Sequence, residues 1–391
     1  MKKILFLLVA TFFFMACQEK KVVTVTVTNP IALDRNNEMV EMPVVEISKL
    51  LELPADGQMV VKDARGTEVP YQITHDQLLI FQANVMANSA AQYTIEEGTP
   101  QEVVAIAVGR HYPERVDDIA WENDLVAFRT YGPALQANGE RAFGYDTWTK
   151  RATNLPVVEE RYRMDLDPAI RKSYHADHGN GLDCYKVGPT LGAGTAALLD
   201  GEQIVYPWAY KTYEILDNGP LRFKVKLEYN PLTVKSDTNV IETRIISLDT
   251  GSHLNKTVIS YTGLSNVVPV ATGIVLHDDA EITADAAKGF ITYVDPTDNP
   301  RVDNGKIFIG AAFPGVVKEA KAVYFDEKES KEQRGGANGH VLAISDYAPG
   351  IEYTYYWGSA WSKAGMDLAS WNTYMGDYAQ KVRNPLTVEI R

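Results

Sequence analysis

Apolar residues recur at every second position along much of this chain. Val23, Val25 and Val27 alternate with threonines, and Leu221, Phe223, Val225, Leu227 and Tyr229 alternate with Arg222, Lys224, Lys226 and Glu228. A period of two puts one set of side chains on one face of an extended strand and the other set on the opposite face. The pattern predicts antiparallel sheets with one buried and one wet face. Further β-rich runs fall at Leu78 to Gln82, Val103 to Val108, Thr243 to Leu248, Thr257 to Tyr261, Lys306 to Phe313, Tyr353 to Trp357 and Leu386 to Ile390. Turn pairs such as Asp56-Gly57, Asp200-Gly201 and Asn304-Gly305 separate them.

Helical periodicity is scarce. Leu368, Trp371, Met375, Tyr378 and Val382 recur at spacings of three and four and predict one amphipathic helix near the end of the chain. The charged, double-glycine stretch Glu327 to Gly336 reads as a solvated loop. A boundary near Glu96 to Pro100 divides a β-rich unit over 22–100 from a larger unit over 101–391. With 391 residues, 45% of them hydrophobic, the chain can bury a large core. The expectation is an all-β protein, a large antiparallel β-sandwich with a smaller N-terminal β unit and one C-terminal helix.

The formal net charge of -13 argues against a nucleic-acid partner. Residues 1–16 join two lysines to an apolar run and read as a signal peptide. Cys17, preceded by Ala16 and followed by a polar tether over 17–21, is the expected lipidation site. The reading is an exported lipoprotein anchored in the outer membrane, on its periplasmic side. Only Cys184 remains as a second cysteine, so no disulfide forms between two mature cysteines. Cys184 reads as a small buried hydrophobe rather than a nucleophile.

The densest chemistry lies in SYHADHGNGLDCYKVGPTLGAG, Ser173 to Gly194. An extended backbone would put His175 and Asp177 on one face and His178 on the other. Glycines 179 and 181 would let the chain turn, placing Asp183 and Tyr185 together on a following strand. The cluster offers a histidine base or acid, a carboxylate to orient it, and a phenol. A divalent metal held by His175, Asp177 and His178 is the alternative for the same residues, although their spacing fits no closed zinc pattern, and no other cofactor is expected.

A second constellation is Trp121-Glu122, followed by Arg129 and Tyr131. Arg129 suits a bidentate grip on a uronate carboxylate, or equally a salt bridge to a sheet neighbour. Glu122 beside Trp121 is a candidate acid, because an aromatic wall disfavours the charged carboxylate. Trp357, Trp361 and Lys363 in YYWGSAWSK combine sugar-stacking faces with a cation, and His277 reaches toward a pocket rim. Lys150, Arg151 and Arg161 are further cations that an anionic substrate would need. No nucleophile elbow, phosphate loop or dinucleotide fingerprint occurs.

The succession WENDLVAFRTYGP, YHADHGNGLDCYKVGPTLGAG, RIISLDTGSHLN and YYWGSAW resembles the DUF4861 family of Bacteroidetes lipoproteins, a family with no established mechanism. The resemblance implies a galactose-mutarotase-like supersandwich encoded among polysaccharide-utilisation genes. The resulting expectation is a carbohydrate-active protein acting on oligosaccharides, uronate-containing and pectin-type, as a lyase or glycoside hydrolase. A non-catalytic carbohydrate-binding lipoprotein and an aldose mutarotase or epimerase remain as alternatives. No protein partner is inferable.

Overall fold

The computed structural model describes residues 21–391 apart from positions 55, 154 and 300. The signal segment and Cys17 lie outside the described residues. The protein is an all-β sandwich built from antiparallel sheets. Among the described residues no helix is long and apolar enough to cross a membrane.

In the N-terminal unit a five-stranded sheet runs Thr387–Ile390, Val22–Thr28, Ala90–Glu97, Met59–Asp63, Glu68–Val69. A three-stranded sheet, Arg35–Pro43, Leu78–Val85, Tyr71–Ile73, completes it together with the helix Val44–Leu51. The alternating valines 23, 25 and 27 fill its core with Phe81 and Ile95. Residues from the far end of the chain complete this unit, since Thr387–Ile390 pairs antiparallel with Val22–Thr28.

The larger unit is built on a nine-stranded sheet. Its order is Tyr210–Asn218, Arg222–Tyr229, Asp237–Asp249, Leu254–Thr262, Tyr353–Trp361, Ile307–Ala312, Phe290–Asp295, Ile282–Asp285, with Leu232–Val234 attached to Asp237–Asp249. Phe223, Val225, Leu227 and Tyr229 point inward while Lys226 on the same strand is exposed, as the period of two requires. Two five-stranded sheets share this core. One runs Gly181–Leu182, Asp146–Lys150, Ala127–Thr130, Asp118–Glu122, Val108–Tyr112. The other runs Gln203–Val205, Ala193–Asp200, Val268–Leu276, Gly339–Tyr347, Glu319–Tyr324. Each fully buried aliphatic or aromatic side chain in this layer contributes about 1.5–3 kcal/mol.

The helix Leu368–Arg383 lies where periodicity placed it, capped by the Asp367 carboxylate, which accepts from the Ser370 amide at 2.8 Å. Its buried face, Trp371, Met375 and Ala379, packs on Phe290, Phe308 and Ala312. Gly310 makes room for it, because a Cβ there would sit 2.7 Å from the Met375 sulfur.

Two expectations are corrected. Glu327–Gln333 is a helix rather than a loop, because Asp326 caps it and Lys331 pairs with Glu327 one turn away at 2.6 Å. It buries none of its residues, so it leaves no apolar stripe for the sequence to reveal. The run Val103 to Val108 contributes only its last residue to a strand, Val108–Tyr112.

Candidate functional site

Three adjacent strands, Asp118–Glu122, Ala127–Thr130 and Asp146–Lys150, each begin or end on a charged residue or carry one inside. Registry sets Arg129 opposite Asp146 and Ala127 opposite both Glu122 and Trp148. Acid therefore collects at one end of this ribbon, and a matched pair forms at the other.

At the acidic end Arg129 stands among three carboxylates. Its Nη2 lies 2.5 Å from Asp146 Oδ2 and donates to Asp183 Oδ2 at 2.9 Å, while Nη1 lies 3.6 Å from Asp118 Oδ2. All four side chains are buried. Arg115, the neighbouring cation, is engaged by Asp165 at 3.6 Å and by the Tyr174 hydroxyl. Three negative charges cannot be balanced by one guanidinium, and burial disfavours each ionised carboxylate. Burial accordingly pushes Asp118 up to about 6 despite the pull of Arg129. Burial and mutual repulsion raise Asp146 and Asp183 as well, against that same pull. Arg129 stays charged. The cluster therefore takes up protons at a higher pH than exposed carboxyls do.

Asp183 connects this interior to the surface. Oδ1 of Asp183 and the hydroxyl of Tyr185 are buried with no hydrogen-bond partner. Burial and the nearby Asp295 push the Tyr185 phenol well up, so it is held as a proton donor. Beside it, His277 Nδ1 lies 2.6 Å from Asp295 Oδ2, and the Tyr185 and His277 rings stand 5.8 Å apart, edge to face. The carboxylate accepts, so Nδ1 carries the hydrogen and Nε2 is the ring's basic nitrogen. Asp298 is tied in by its amide, which donates to the Cys184 carbonyl at 2.9 Å. Its carboxyl is raised by burial, with His175 opposing. His175 has its side chain 52% exposed, with Nδ1 3.0 Å from the Asp183 carbonyl and 3.7 Å from its carboxylate. Asp183, Tyr185, His277, Asp295, Asp298 and His175 thus lie close enough to influence one another, with His175 and Asp298 the more exposed members.

The remaining expected residues sit elsewhere. Residues 173–180 are turns and bends rather than an extended strand. Asp177 accepts from the Gly179 and Gly181 amides and pairs with Arg151 at 3.0 Å, and the ring of His178 lies 3.0 Å from the Ser173 carbonyl. The structure does not bring His175, Asp177 and His178 together as a ligand set. Among the described residues, the potential ligand atoms of His75, Asp76 and Asp217 do converge within 4.8 Å, but Lys224 already pairs with Asp76 at 2.9 Å and His75 with Asp217 at 3.0 Å.

Glu122 is structural rather than an acid on an aromatic wall. Lys150 donates to it at 2.7 Å, and the Val157 and Val158 amides at the start of the helix Val158–Leu166 donate at 2.9 Å. Trp121 and Trp357 have no exposed surface and stack in the core with Phe128, Phe223 and Tyr145, so neither can offer a face to a sugar. Trp361 is buried beneath Arg151, whose guanidinium lies 4.8 Å from its ring. Lys363 is exposed beside Asp303 at 3.4 Å. Arg161 is buried and donates to the Gly181 carbonyl at 2.7 Å. Tyr131 lies under Arg129, 5.1 Å from centroid to guanidinium, and Arg129 itself is consumed by the aspartates rather than free to grip a uronate. Cys184 is fully buried.

Asp118, Asp146 and Asp295 were not expected as site residues. Each stands at the end of a strand among apolar neighbours, which is the signal that could have drawn notice.

The chain matches the family described as Domain of unknown function (DUF4861) over residues 27–388. A protein of Formosa agariphila named Uncharacterized protein P7 is 28% identical over 348 residues, 85% of this chain and 81% of that one. Among solved structures, a protein in the glycosyl hydrolase family 38 from Enterococcus faecalis superposes with a TM-score of 0.49 at 9% identity, covering 96% of this chain and 48% of that one. An α-mannosidase from Enterococcus faecalis superposes with a TM-score of 0.45 at 10% identity, covering 95% of this chain and 46% of that one. The chain spans about half the length of these solved chains.

Proposed function

For this chain, which belongs to the DUF4861 family, we propose a carbohydrate-active enzyme that cleaves glycosidic bonds of oligosaccharides by acid–base chemistry at Asp183, Tyr185 and the His277–Asp295 pair. The observation that carries the reading is the ratio of three buried carboxylates to one arginine, with a carboxylate oxygen and a phenol left unpartnered beside an oriented imidazole. A site whose carboxyls are raised toward neutrality beside an oriented imidazole is equipped to protonate a leaving oxygen and deprotonate a second group. The choice of sugar as substrate rests on the sequence resemblance and on the family's expected setting among polysaccharide-utilisation genes.

In hydrolysis the protonated Asp183–Asp146 set gives its proton to the glycosidic oxygen as the carbon–oxygen bond breaks. Nε2 of His277 takes a proton from water as the water oxygen bonds to the anomeric carbon. Asp295 holds the imidazole in place and stabilises its charged form.

The unpartnered Tyr185 phenol favours a second reading, β-elimination from a uronate. There Nε2 of His277 removes the hydrogen next to the carboxylate, the Tyr185 phenol donates a hydrogen bond to the charge that develops, Asp183 protonates the leaving oxygen, and a carbon–carbon double bond remains. With Arg129 consumed, the half-exposed His175 would meet the uronate carboxylate.

The same proposal takes Cys17 as the lipid-bearing residue of an outer-membrane protein facing the periplasm. A globomycin-sensitive size shift is its expected mark.

Incubating the protein with neutral and uronate-containing oligosaccharides tests the chemistry by mass spectrometry and ultraviolet absorbance. One water gained per cleaved bond supports hydrolysis, and an absorbing unsaturated product without added water supports elimination. Binding without turnover on the whole panel would replace both with a carbohydrate-binding role, and Asp183→Asn should lower either kind of turnover about a hundredfold or more.

A further inference from the structure

A cavity of about 430 Å³ opens between the N-terminal unit and the outer face of the nine-stranded sheet. It is remote in sequence and in fold from the acid cluster, being lined by the strand Arg35–Pro43, the helix Leu368–Arg383 and outward residues of four strands of the large sheet. We propose that this seam is a second, non-catalytic binding site for a neutral oligosaccharide.

One wall is aromatic. Tyr374 and Tyr378 follow one another at one helical turn with ring centroids 5.7 Å apart, and Tyr356 from the sheet stands 5.3 Å from Tyr378. All three rings are half-buried, which leaves apolar surface facing the cleft. The axial C–H faces of a pyranose stack on such surface. The opposite wall is polar: Asn36, Asn37, Glu38 and Glu41 line it, and Glu38 Oε2 is buried without a hydrogen-bond partner. A β-bulge between Arg35 and Glu38 aims these side chains, with Asn37 in the left-handed region at φ 51°. The exposed amide side chains of Asn36 and Asn37 on that wall are placed to exchange hydrogen bonds with sugar hydroxyls.

Charge selects the class of sugar. Arg222, Lys256 and Lys381 line the cleft on the cationic side, Glu38, Glu41 and Asp249 on the anionic side. Arg222 is already paired with Asp249 at 2.6 Å and with Glu41 at 2.7 Å. The three cations and three anions of the lining cancel, so the cleft carries no net charge and no field that favours a uronate over a neutral sugar. The volume lies in the range of small-ligand sites, and domain seams are where such sites concentrate.

The cleft is held open before any ligand arrives. Arg222 to Glu41, Gln82 to the Thr250 carbonyl at 2.8 Å and Lys224 to Asp76 at 2.9 Å all cross between the two units. A preformed site spends little binding free energy on ordering.

Calorimetric titration of the protein with cellotetraose, mannotetraose, galactotetraose and tetragalacturonate tests the proposal. A neutral tetrasaccharide is expected to bind the native protein and Asp183→Asn equally. Tyr378→Ala should weaken that binding about tenfold, the size of a lost stacking contact. Asn36→Trp, at the exposed rim, should block it without touching the core, which covers the case in which Tyr378→Ala does not fold. Turnover in either variant should match the native protein. No binding by any neutral tetrasaccharide, native affinity in both seam variants, or preference for tetragalacturonate would each overturn the proposal. Loss of binding in Asp183→Asn alone would place the sugar in the acid cluster instead.

Discussion

The two ends of the ribbon formed by Asp118–Glu122, Ala127–Thr130 and Asp146–Lys150 carry buried charge in opposite ways. At one end Glu122 meets Lys150 one to one, and helix amides occupy its remaining lone pairs. At the other end Asp118, Asp146 and Asp183 compete for Arg129, and a carboxylate oxygen and a phenol go without partners. The distance between these ends is one short strand, so the difference is not one of depth or fold. A satisfied pair stabilises its position, whereas an unsatisfied set is retained at a cost, and such cost is typical of a site where protons move.

Arg129→Met should break the acidic end most severely. Three buried carboxylates would lose the guanidinium they share, and urea titration at pH 7.5 should show a loss of about 3–5 kcal/mol or no folded protein. Lowering the pH should restore part of that loss by protonating the aspartates.

Asp183→Asn removes surplus negative charge at nearly constant shape. Its unfolding midpoint should hold or rise while kcat falls about a hundredfold to ten-thousandfold. A matching loss of stability would show that the acidic end is structural like its counterpart.

Glu122→Gln inverts that outcome. Lys150 is left buried without its countercharge, costing about 3 kcal/mol in urea titration, while the folded fraction keeps native kcat/KM.

The pH dependence separates the ends further. A carboxyl whose folded pKa is raised contributes stability fully present below its unfolded value and lost as pH rises through the folded one. For Asp118, raised to about 6, the protein should lose about 1 kcal/mol between about pH 5 and pH 7.5. Asp118→Asn should reduce that slope by about this amount and leave the part due to Asp146 and Asp183, and thermal melts across the window measure it.

The smallest effect belongs to Cys184. Burial raises its thiol far above the usual range, so native protein should resist iodoacetamide and react only once unfolded.

Much of the architecture could be read from period-two alternation, because a half-buried strand writes its environment directly into the chain. The helix Leu368–Arg383 was equally open, since Trp371 and Met375 mark its buried face. The helix Glu327–Gln333 was hidden, because capping and exposed ion pairs rather than burial hold it. The site divides in the same way. Asp183, Tyr185 and His175 fall in one glycine-rich stretch and stood out together. Asp118, Asp146 and the Asp295 partner of His277 come from separate strands, and strand registry gathers the first two while the packing of separate sheets brings Asp295 to His277. Trp121 and Trp357 misled for the converse reason: a sugar platform and a core aromatic are the same residue until exposure is known.

The pairing of Thr387–Ile390 with Val22–Thr28 also constrains the order of events on the ribosome. Val22–Thr28 is among the first described segments to emerge, yet one of its edges stays unpaired until residues 387–390 have been made. During that interval the N-terminal sheet presents free amides and carbonyls bordered by valines, which is a template for pairing with another chain. The N-terminal sheet therefore closes only when both ends of the described chain are present, and removing residues 387–390 should leave a strand edge that promotes association between copies.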